Sequence, residues 1–280
     1  MKSASNFRGY IMTIQELYNK INLQSEIIDS LETIKKELDM QIVTPYLDRM
    51  MKWETAAEAY QELCMVLNEN SDCIKMLYCH LECACRIYLQ YKEKNIPEEI
   101  FIDTMKCFPR FIEECKKKNG RMFFDRSWWT YRQISMRIFR IGQLEYEMKE
   151  YEGESVISIH IPSDADFSEQ TINQSLQQAK QFFAEYFPEY KYGNMICNSW
   201  LLSPELGMML LDETNIKKFQ KRFEIIKENK EDREYIEWLF EKLETTEYTK
   251  LPEHTSLQKK VKKLLIDGGN IGTAFGVMKQ

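Results

Sequence analysis

Glycine, proline and histidine are scarce in this sequence, at 10, 7 and 3 residues in a chain of 280. So few glycines and prolines exclude a collagen-like or linker-like architecture. Long apolar runs are missing too, because none approaches the ~18 residues that a membrane span needs. The first residues also lack an apolar stretch of signal-peptide length. These absences predict a cytoplasmic protein that has no membrane partner.

Positive charge is also in deficit. The 38 Lys and Arg residues and the 44 Asp and Glu residues give a formal net charge of −6. Because phosphate neutralisation requires clustered positive charge, we expect no nucleic-acid partner. The chain does contain ample apolar material, at 44% of residues. That fraction is enough for a sizeable core and excludes general disorder.

Cysteine is more plentiful, with 8 residues, and Cys79, His80, Cys83 and Cys85 lie close together in sequence. On a helix, however, only Cys79 and Cys83 share a face, and the chain has no C-x-x-C knuckle of the kind structural zinc sites use. We therefore predict no metal site. The thiols are expected to be free and mostly buried as small hydrophobic side chains.

The first half of the chain has apolar residues at helical spacing. Ile14, Leu17, Tyr18 and Ile21 lie on one face of a helix, and similar faces recur further along. One helix is predicted from Pro97 to a left-handed cap at Gly120, and another over 125–136, capped by Asp125. We predict an all-helical domain over residues 1–136, with residues 1–11 as a loose extension. Ser71-Asp72 is a further helix start signal.

The pattern changes near residue 137. In the later part of residues 138–151, apolar and polar residues alternate with a period of two, which predicts one strand over this range. A short turn leads to a second strand at 156–161. A helix over 168–187, a third strand over 192–202, a fourth over 223–226, and helices over 234–243 and 257–266 follow. Residues 137–280 therefore read as an α+β domain. No flexible linker precedes it, so we expect close packing between the two domains.

Several segments carry a resemblance when taken in order. They are Arg140–Glu147, His160–Pro162, Cys197–Pro204, Asn215–Phe223, Leu251-Pro252 and Ser256–Gln258. This order resembles a bacterial family of acyltransferases that join a helical N-terminal domain to a C-terminal domain of GNAT-like N-acetyltransferase fold. The resemblance implies a small, mostly antiparallel sheet packed against the helical domain. It also implies acetyl-CoA or another acyl-CoA as donor and leaves the acceptor and the oligomeric state open.

Cofactor contacts are harder to locate. GNAT proteins usually hold the CoA diphosphate in a glycine-rich loop at a helix N-terminus, but the segment after Leu202 has a single glycine and an acid. Backbone amides of the glycine-rich C-terminal end, at Gly269 and Gly272, are alternatives; a helix cap followed by a final strand explains the same glycines. Arg140 is a candidate to hold a phosphate or carboxylate. Trp200 is a candidate for ligand stacking, or for the core.

His160 is the best candidate for a general base, because acyl transfer to an amine requires one and histidine titrates near neutral pH. Strand alternation places it on the face opposite Ile157, Ile159 and Ile161. The alternative is a structural histidine hydrogen-bonded at the contact with the helical domain. If the third strand neighbours the second, Ser199 or Cys197 is expected to be a nearby polar partner. A Cys197–His160 nucleophilic pair is a separate possibility.

Glu145 is a further catalytic candidate, since Glu145 and Glu147 share a strand face and two acids at this spacing can act as a base and its partner. Such pairs are more often the solvated face of an antiparallel sheet. The leading functional hypothesis is acyl transfer from a thioester. The alternatives are a non-catalytic module that binds a small molecule or protein on a degenerate GNAT-like fold, and an interaction protein built on the helical half.

Overall fold

The computed structural model describes residues 12–69, 72–241 and 247–279. The chain divides into two compact units between Phe139 and Arg140. The extension predicted at residues 1–11, the start signal at Ser71 and the predicted helix end at residues 242–243 lie outside the described residues.

The described part of the first unit is helical. Its helices are α1 (Ile14–Ile21), α2 (Ser25–Glu37), α3 (Met40–Met50), α4 (Trp53–Leu67), α5 (Ile74–Glu93), α6 (Glu98–Met105), α7 (Cys107–Asn119) and α8 (Ser127–Ile134). A capping box between Thr13 and Glu16 starts α1, because each side chain satisfies a backbone donor that the helix leaves unpaired. The apolar face predicted for α1 is buried.

Two local predictions in this unit are wrong. The single helix predicted up to Gly120 is two helices, α6 and α7, which meet at Lys106. Pro109 lies in the first turn of α7, and a proline ring there clashes with the carbonyl four residues earlier, so one continuous helix is disfavoured. Gly120 does take the predicted left-handed conformation, at φ 73°. Helix α8 begins at Ser127 and has no side-chain cap, so Asp125 does not have its predicted role.

His80 is fully buried in α5, against the rings of Tyr60, Phe108 and Phe124. Its Nδ1 is 2.7 Å from the hydroxyl of Thr130, whereas its Nε2 has no hydrogen-bond partner among the described residues. Because a charged ring would need two partners and would lose its hydration, this site favours the neutral imidazole.

Burial lowers the pKa of His80 to about 3, against ~6.5 in an unfolded chain. Between these values the unfolded state binds one more proton than the native state, so acid favours unfolding. We predict that below pH ~6.5 this residue lowers the free energy of unfolding by up to about 1.4 kcal/mol per pH unit. Urea denaturation of wild type and His80→Gln at several pH values measures the slope. His254→Gln, at an exposed histidine, should keep the wild-type slope; identical slopes for wild type and His80→Gln would contradict the assignment.

The second unit is built on a mixed sheet with strand order β1-β2-β3-β4-β6-β5. Its elements are β1 (Ile138–Ile141), β2 (Leu144–Tyr151), β3 (Glu154–His160), α9 (Glu169–Tyr186), β4 (Met195–Ser199), α10 (Pro204–Met209), α11 (Asn215–Gln220), β5 (Phe223–Asn229), α12 (Tyr235–Phe240), α13 (Ser256–Ile266) and β6 (Thr273–Met278). This sheet and the helical first unit confirm the predicted α+β class.

Strand β3 pairs with β4 in parallel, whereas β2–β3, β4–β6 and β5–β6 are antiparallel. A parallel pair needs a crossover, and α9 supplies it. The sheet is therefore mostly antiparallel, as the family resemblance implies, and its parallel pair lies at its centre.

Two strand boundaries differ from the prediction. The strand predicted over 138–151 is two strands, because Gly142 takes a left-handed φ of 63° and turns the chain back, a conformation that costs glycine little. The strand predicted over 192–202 ends at Ser199. The Ser199 hydroxyl accepts a hydrogen bond from the backbone N–H of Leu201, which starts a 3-10 turn over Trp200–Leu202.

Candidate functional site

The sheet of the second unit has one apolar face and one polar face, set by strand alternation. Its apolar face contacts α9: the hydroxyls of Tyr146 and Ser175 are 2.9 Å apart. We call the opposite side the polar face. It is defined by register pairs that include Glu145 with His160, Glu147 with Ser158, Ser158 with Ile196, and Asn198 with Phe275.

His160 and Glu147 are joined on the polar face. The Nε2 of His160 is 2.8 Å from a carboxylate oxygen of Glu147. Glu145 and Glu147 are each only 3% exposed, so the prediction of a solvated acidic face is wrong. A buried carboxylate hydrogen-bonded to Nε2 fixes the ring orientation and its tautomer, because it accepts the proton on Nε2. In the neutral ring the basic lone pair is then on Nδ1.

Sequence reasoning gave Glu147 no definite role, yet the turn after β2 contains the signal. Glu152 and Gly153 both have positive φ, at 52° and 82°, as a two-residue hairpin loop of type I′ requires. Such a loop pairs Tyr151 with Glu154 and fixes the register for the whole hairpin. An assignment of the loop as two residues would have placed Glu147 diagonally beside His160.

The parallel pairing of β3 and β4 is short. It runs from Ile157–Met195 to Ile159–Cys197, and within the described chain no further register pair joins the two strands. His160 is the next residue of β3 after this point. Strand β4 continues to pair with β6 on its other side through Ser199. The ladder between the two strands therefore stops one residue before the end of β3 at His160.

Cys197 and Ser199 are not brought to His160. Cys197 pairs in register with Ile159, so both it and Ser199 lie toward the apolar face. Cys197 is fully buried, and burial raises the pKa of its thiol to about 12. A nucleophilic thiolate is disfavoured there, and the Ser199 hydroxyl caps the turn after β4. The register instead brings Asn198 onto the face of His160.

We predict that Cys197 resists alkylation in the native protein. At pH ~8, a thiol of pKa ~12 is ionised in about one molecule in ten thousand, and the thiolate is the reactive form. Iodoacetamide labelling followed by peptide mass spectrometry should modify the exposed Cys64 and leave Cys197 unmodified until denaturant is added. Labelling of both at equal rates in the native state would contradict this placement.

Arg140 and Trp200, the other cofactor candidates, contact protein groups. Arg140 donates from Nε to the carbonyl of Gly142 and from a terminal nitrogen to Asp164, both at 2.9 Å. The carboxylate that Arg140 binds is therefore that of Asp164, in the connection from β3 to α9 of the same chain. Trp200 packs against a core cluster that includes Tyr235 and Leu265, as its alternative interpretation expected.

The topology also shows that a different segment of the chain occupies the position of a glycine-rich CoA loop. In sheets with parallel strands, ligands bind beyond the carboxyl ends of those strands, near the start of the crossover helix. Here that segment is residues 161–168, between β3 and α9, rather than the segment after Leu202. This segment is not glycine-rich either, because it contains no glycine at all.

The glycines near the C-terminus have structural explanations. The amides of Gly268 and Gly269 donate to the carbonyls of Leu265 and Leu264 and end α13, and β6 follows. These glycines therefore belong to a helix cap followed by a final strand, the alternative explanation given in the sequence analysis. Gly272 has φ 70°, and a Cβ there would overlap the carbonyl oxygen of Asn229.

We predict that Gly272→Ala lowers the free energy of unfolding by about 1–3 kcal/mol, because it adds both φ strain and a backbone clash. Gly153→Ala is the matched control: its φ is 82°, but a Cβ there meets nothing within 4 Å. Gly153→Ala should therefore lower the free energy of unfolding only by the contribution of φ strain. Chemical denaturation of both variants measures the difference, and equal losses would show that the close approach at Gly272 is relaxed without cost.

A cavity of about 600 Å³ opens on the polar face. That volume suits a small-molecule ligand. Ser158 lines the cavity and has Glu147 as its register partner, so the His160–Glu147 pair lies beside the cavity lining without being part of it. Side chains from β2 to β6 surround it, among them Lys149, Tyr151, Ser158, Asn198, Lys227 and Phe275.

The described residues contain no group of three or more His, Cys, Asp or Glu side chains placed to hold a metal ion. Among the described helices, none has the length and apolar character needed to cross a membrane.

Two family models match the chain. The model described as the N-acyltransferase N-terminal domain matches residues 12–136, and that described as the GNAT-like C-terminal domain matches residues 138–278. No curated protein sequence matches.

Solved structures with this fold include an acyltransferase mutant in complex with octanoyl-CoA. Its TM-score is 0.76 at 17% identity, over 95% of this chain and 87% of that one. Another is an acyltransferase in complex with decanoyl-CoA and teicoplanin, with a TM-score of 0.70 at 16% identity, over 96% of this chain and 99% of that one. A third, with decanoyl-CoA alone, has a TM-score of 0.70 at 17% identity, over 95% and 99% of the two chains.

At these identities the likeness establishes the fold: a helical N-terminal part followed by a GNAT-like α+β part. Together with the matched models, it defines the class as the two-domain N-acyltransferase type. The chain belongs to the family that joins an N-acyltransferase N-terminal domain to a GNAT-like C-terminal domain, which agrees with the resemblance found in the sequence.

Proposed function

We propose that this protein transfers an acyl group from an acyl-CoA thioester to an amine. The observation that carries the proposal is the position of the His160–Glu147 pair. It lies where β3 and β4 stop pairing and adjoins the cavity on the polar face. The structural relatives support an acyl-CoA donor, since they are acyltransferases in complex with octanoyl-CoA or decanoyl-CoA.

In this proposal the donor lies beyond the end of the ladder between β3 and β4. The pantetheine arm of CoA contains amides, and these can pair with backbone groups at the edge of a strand. The diphosphate would then lie at the amino end of α9, where backbone N–H groups and the helix dipole favour anions. Two acids nearby are already engaged, Asp164 by Arg140 and Asp166 by the N–H of Ser168.

His160 acts as the general base in this proposal. Its Nδ1 takes a proton from the ammonium group of the acceptor, and the amine nitrogen then attacks the thioester carbonyl carbon. The C–N bond forms, the C–S bond breaks, and the departing CoA thiolate takes the second amine proton, so the products are an amide and free CoA. Glu147 holds the imidazole in position and stabilises the imidazolium that forms, the role that carboxylates have beside catalytic histidines.

We predict that His160→Gln lowers kcat by about 100- to 10,000-fold, the usual contribution of a general base, while the Kd for octanoyl-CoA stays the same. Glu147→Gln should also lower kcat at an unchanged donor Kd, but by less, because the base itself remains. Turnover is measured in reactions that contain an amine, by following the release of free CoA with chromatography. Isothermal titration measures donor binding.

His254→Gln is the matched control, since His254 is exposed; it should behave as wild type. A His160→Gln variant with normal kcat would contradict the assignment of the base. Failure of octanoyl-CoA, decanoyl-CoA and acetyl-CoA all to bind the wild type at millimolar concentration would contradict the proposed function itself. Melting temperatures of the variants separate loss of chemistry from loss of folding.

A further inference from the structure

The cavity on the polar face has a distinctive charge arrangement. Lys149 projects from β2 and Lys227 from β5, and both line the cavity. Neither lysine has an ion-pair partner in the described ranges 12–69, 72–241 and 247–279. The acids at the cavity do have partners: Glu228 lies 4.0 Å from Lys230, and Asp232 accepts hydrogen bonds from Thr273 and from the N–H of Glu234.

A bulge in β5 directs Lys227 into this cavity. The register between β5 and β6 shifts between Ile225 and Lys227, so that Lys227 pairs with Phe275. Without the extra residue, alternation from Ile225 would place Lys227 on the apolar face. Bulges re-aim side chains and are over-represented beside active sites. The position of this cation is thus built into the strand.

Aromatic surface lies between the lysines. The rings of Tyr151 and Phe275 are stacked, with centroids 4.6 Å apart and planes at 27°, although Tyr151 is on β2 and Phe275 on β6. The ring pair therefore extends over β3 and β4, the strands between them in the sheet. Neutral polar groups, including Ser158 and Asn198, complete the lining.

From these features we infer that the acceptor is an amine that also carries an anionic group, a carboxylate or a phosphate, and that Lys227 binds this group. The inference rests on the proposed function, because it takes the reacting amine to lie at His160. The acidic side of the site, at Glu147, attracts the ammonium end. Lys227, with Lys149 adding to the positive field, attracts the anionic end, so the two charges orient the acceptor before reaction.

The spacing sets an upper limit to the length of the acceptor. His160 and Lys227 are on strands three steps apart, about 14 Å at ~4.8 Å per step. Because strand side chains stand roughly perpendicular to the sheet, the amine and the anion of the acceptor should lie no further apart than this. A single aromatic ring between the two groups keeps them within that distance and suits the Tyr151–Phe275 surface.

The test uses full-length protein, octanoyl-CoA and three acceptors that differ only in one substituent: 4-(aminomethyl)benzoate, 4-(aminomethyl)phenylphosphonate and 4-(aminomethyl)benzamide. At least one anionic amine should react with a kcat/KM about tenfold or more above that of the neutral amide, as expected for a charge-assisted contact. The ratio between the carboxylate and the phosphonate identifies the preferred anion. Lys227→Gln should abolish most of this preference, Lys149→Gln should reduce it, and neither should change the Kd for octanoyl-CoA.

Lys191→Gln, at an exposed lysine outside the cavity, is the matched control and should keep the wild-type preference. If octanoyl-CoA binds but the neutral amide reacts as well as the anionic amines, or no anionic amine reacts, the acceptor class is overturned while the donor assignment stands. An unchanged preference in Lys227→Gln overturns the role of that lysine. Absence of octanoyl-CoA binding overturns the proposed function instead.

Discussion

The short parallel pairing between β3 and β4 is the constraint on which the rest of the second unit depends. Parallel strands cannot be joined by a hairpin, so the chain must cross over through α9 and return beside β3. The three-residue ladder ends at Ile159–Cys197, one residue before β3 ends at His160 and two before β4 ends at Ser199. The same alternation puts His160 on one side of the sheet and Cys197 on the other. The proposed site lies at this end of the two strands.

Buried charge is tolerated beside that point because each ionic group has a partner. Glu147 is held by His160, and Arg140 spans from β1 to Asp164 in the connection that leads to α9. Charged groups taken out of water lose several kcal/mol each unless they are paired and hydrogen-bonded. The pairing of Arg140 with Asp164 also ties the crossover connection to the sheet, and so helps to keep the amino end of α9 next to β3.

Alternation and spacing predicted the helical first half, the α+β class and the placement of His160 away from the isoleucines of β3, because these depend on local periodicity. They could not predict the register in which β3 and β4 pair, which puts Cys197 opposite Ile159, and for that reason Cys197 and Ser199 were expected near His160. The burial of Glu147 was missed for a similar reason: a two-strand pattern cannot show what covers a polar face. The break before α7 could have been found, since Pro109 is visible in the sequence.

The tight loop at Glu152-Gly153 has an evolutionary consequence. One residue added to or removed from it would shift β3 by one position against β2, and every side chain of β3 would exchange sides of the sheet. The imidazole would then face α9, and an isoleucine would take its place beside the carboxylates. Homologous chains that keep this chemistry should therefore conserve the length of that loop strictly, while the long crossover between β3 and β4 is free to gain and lose residues.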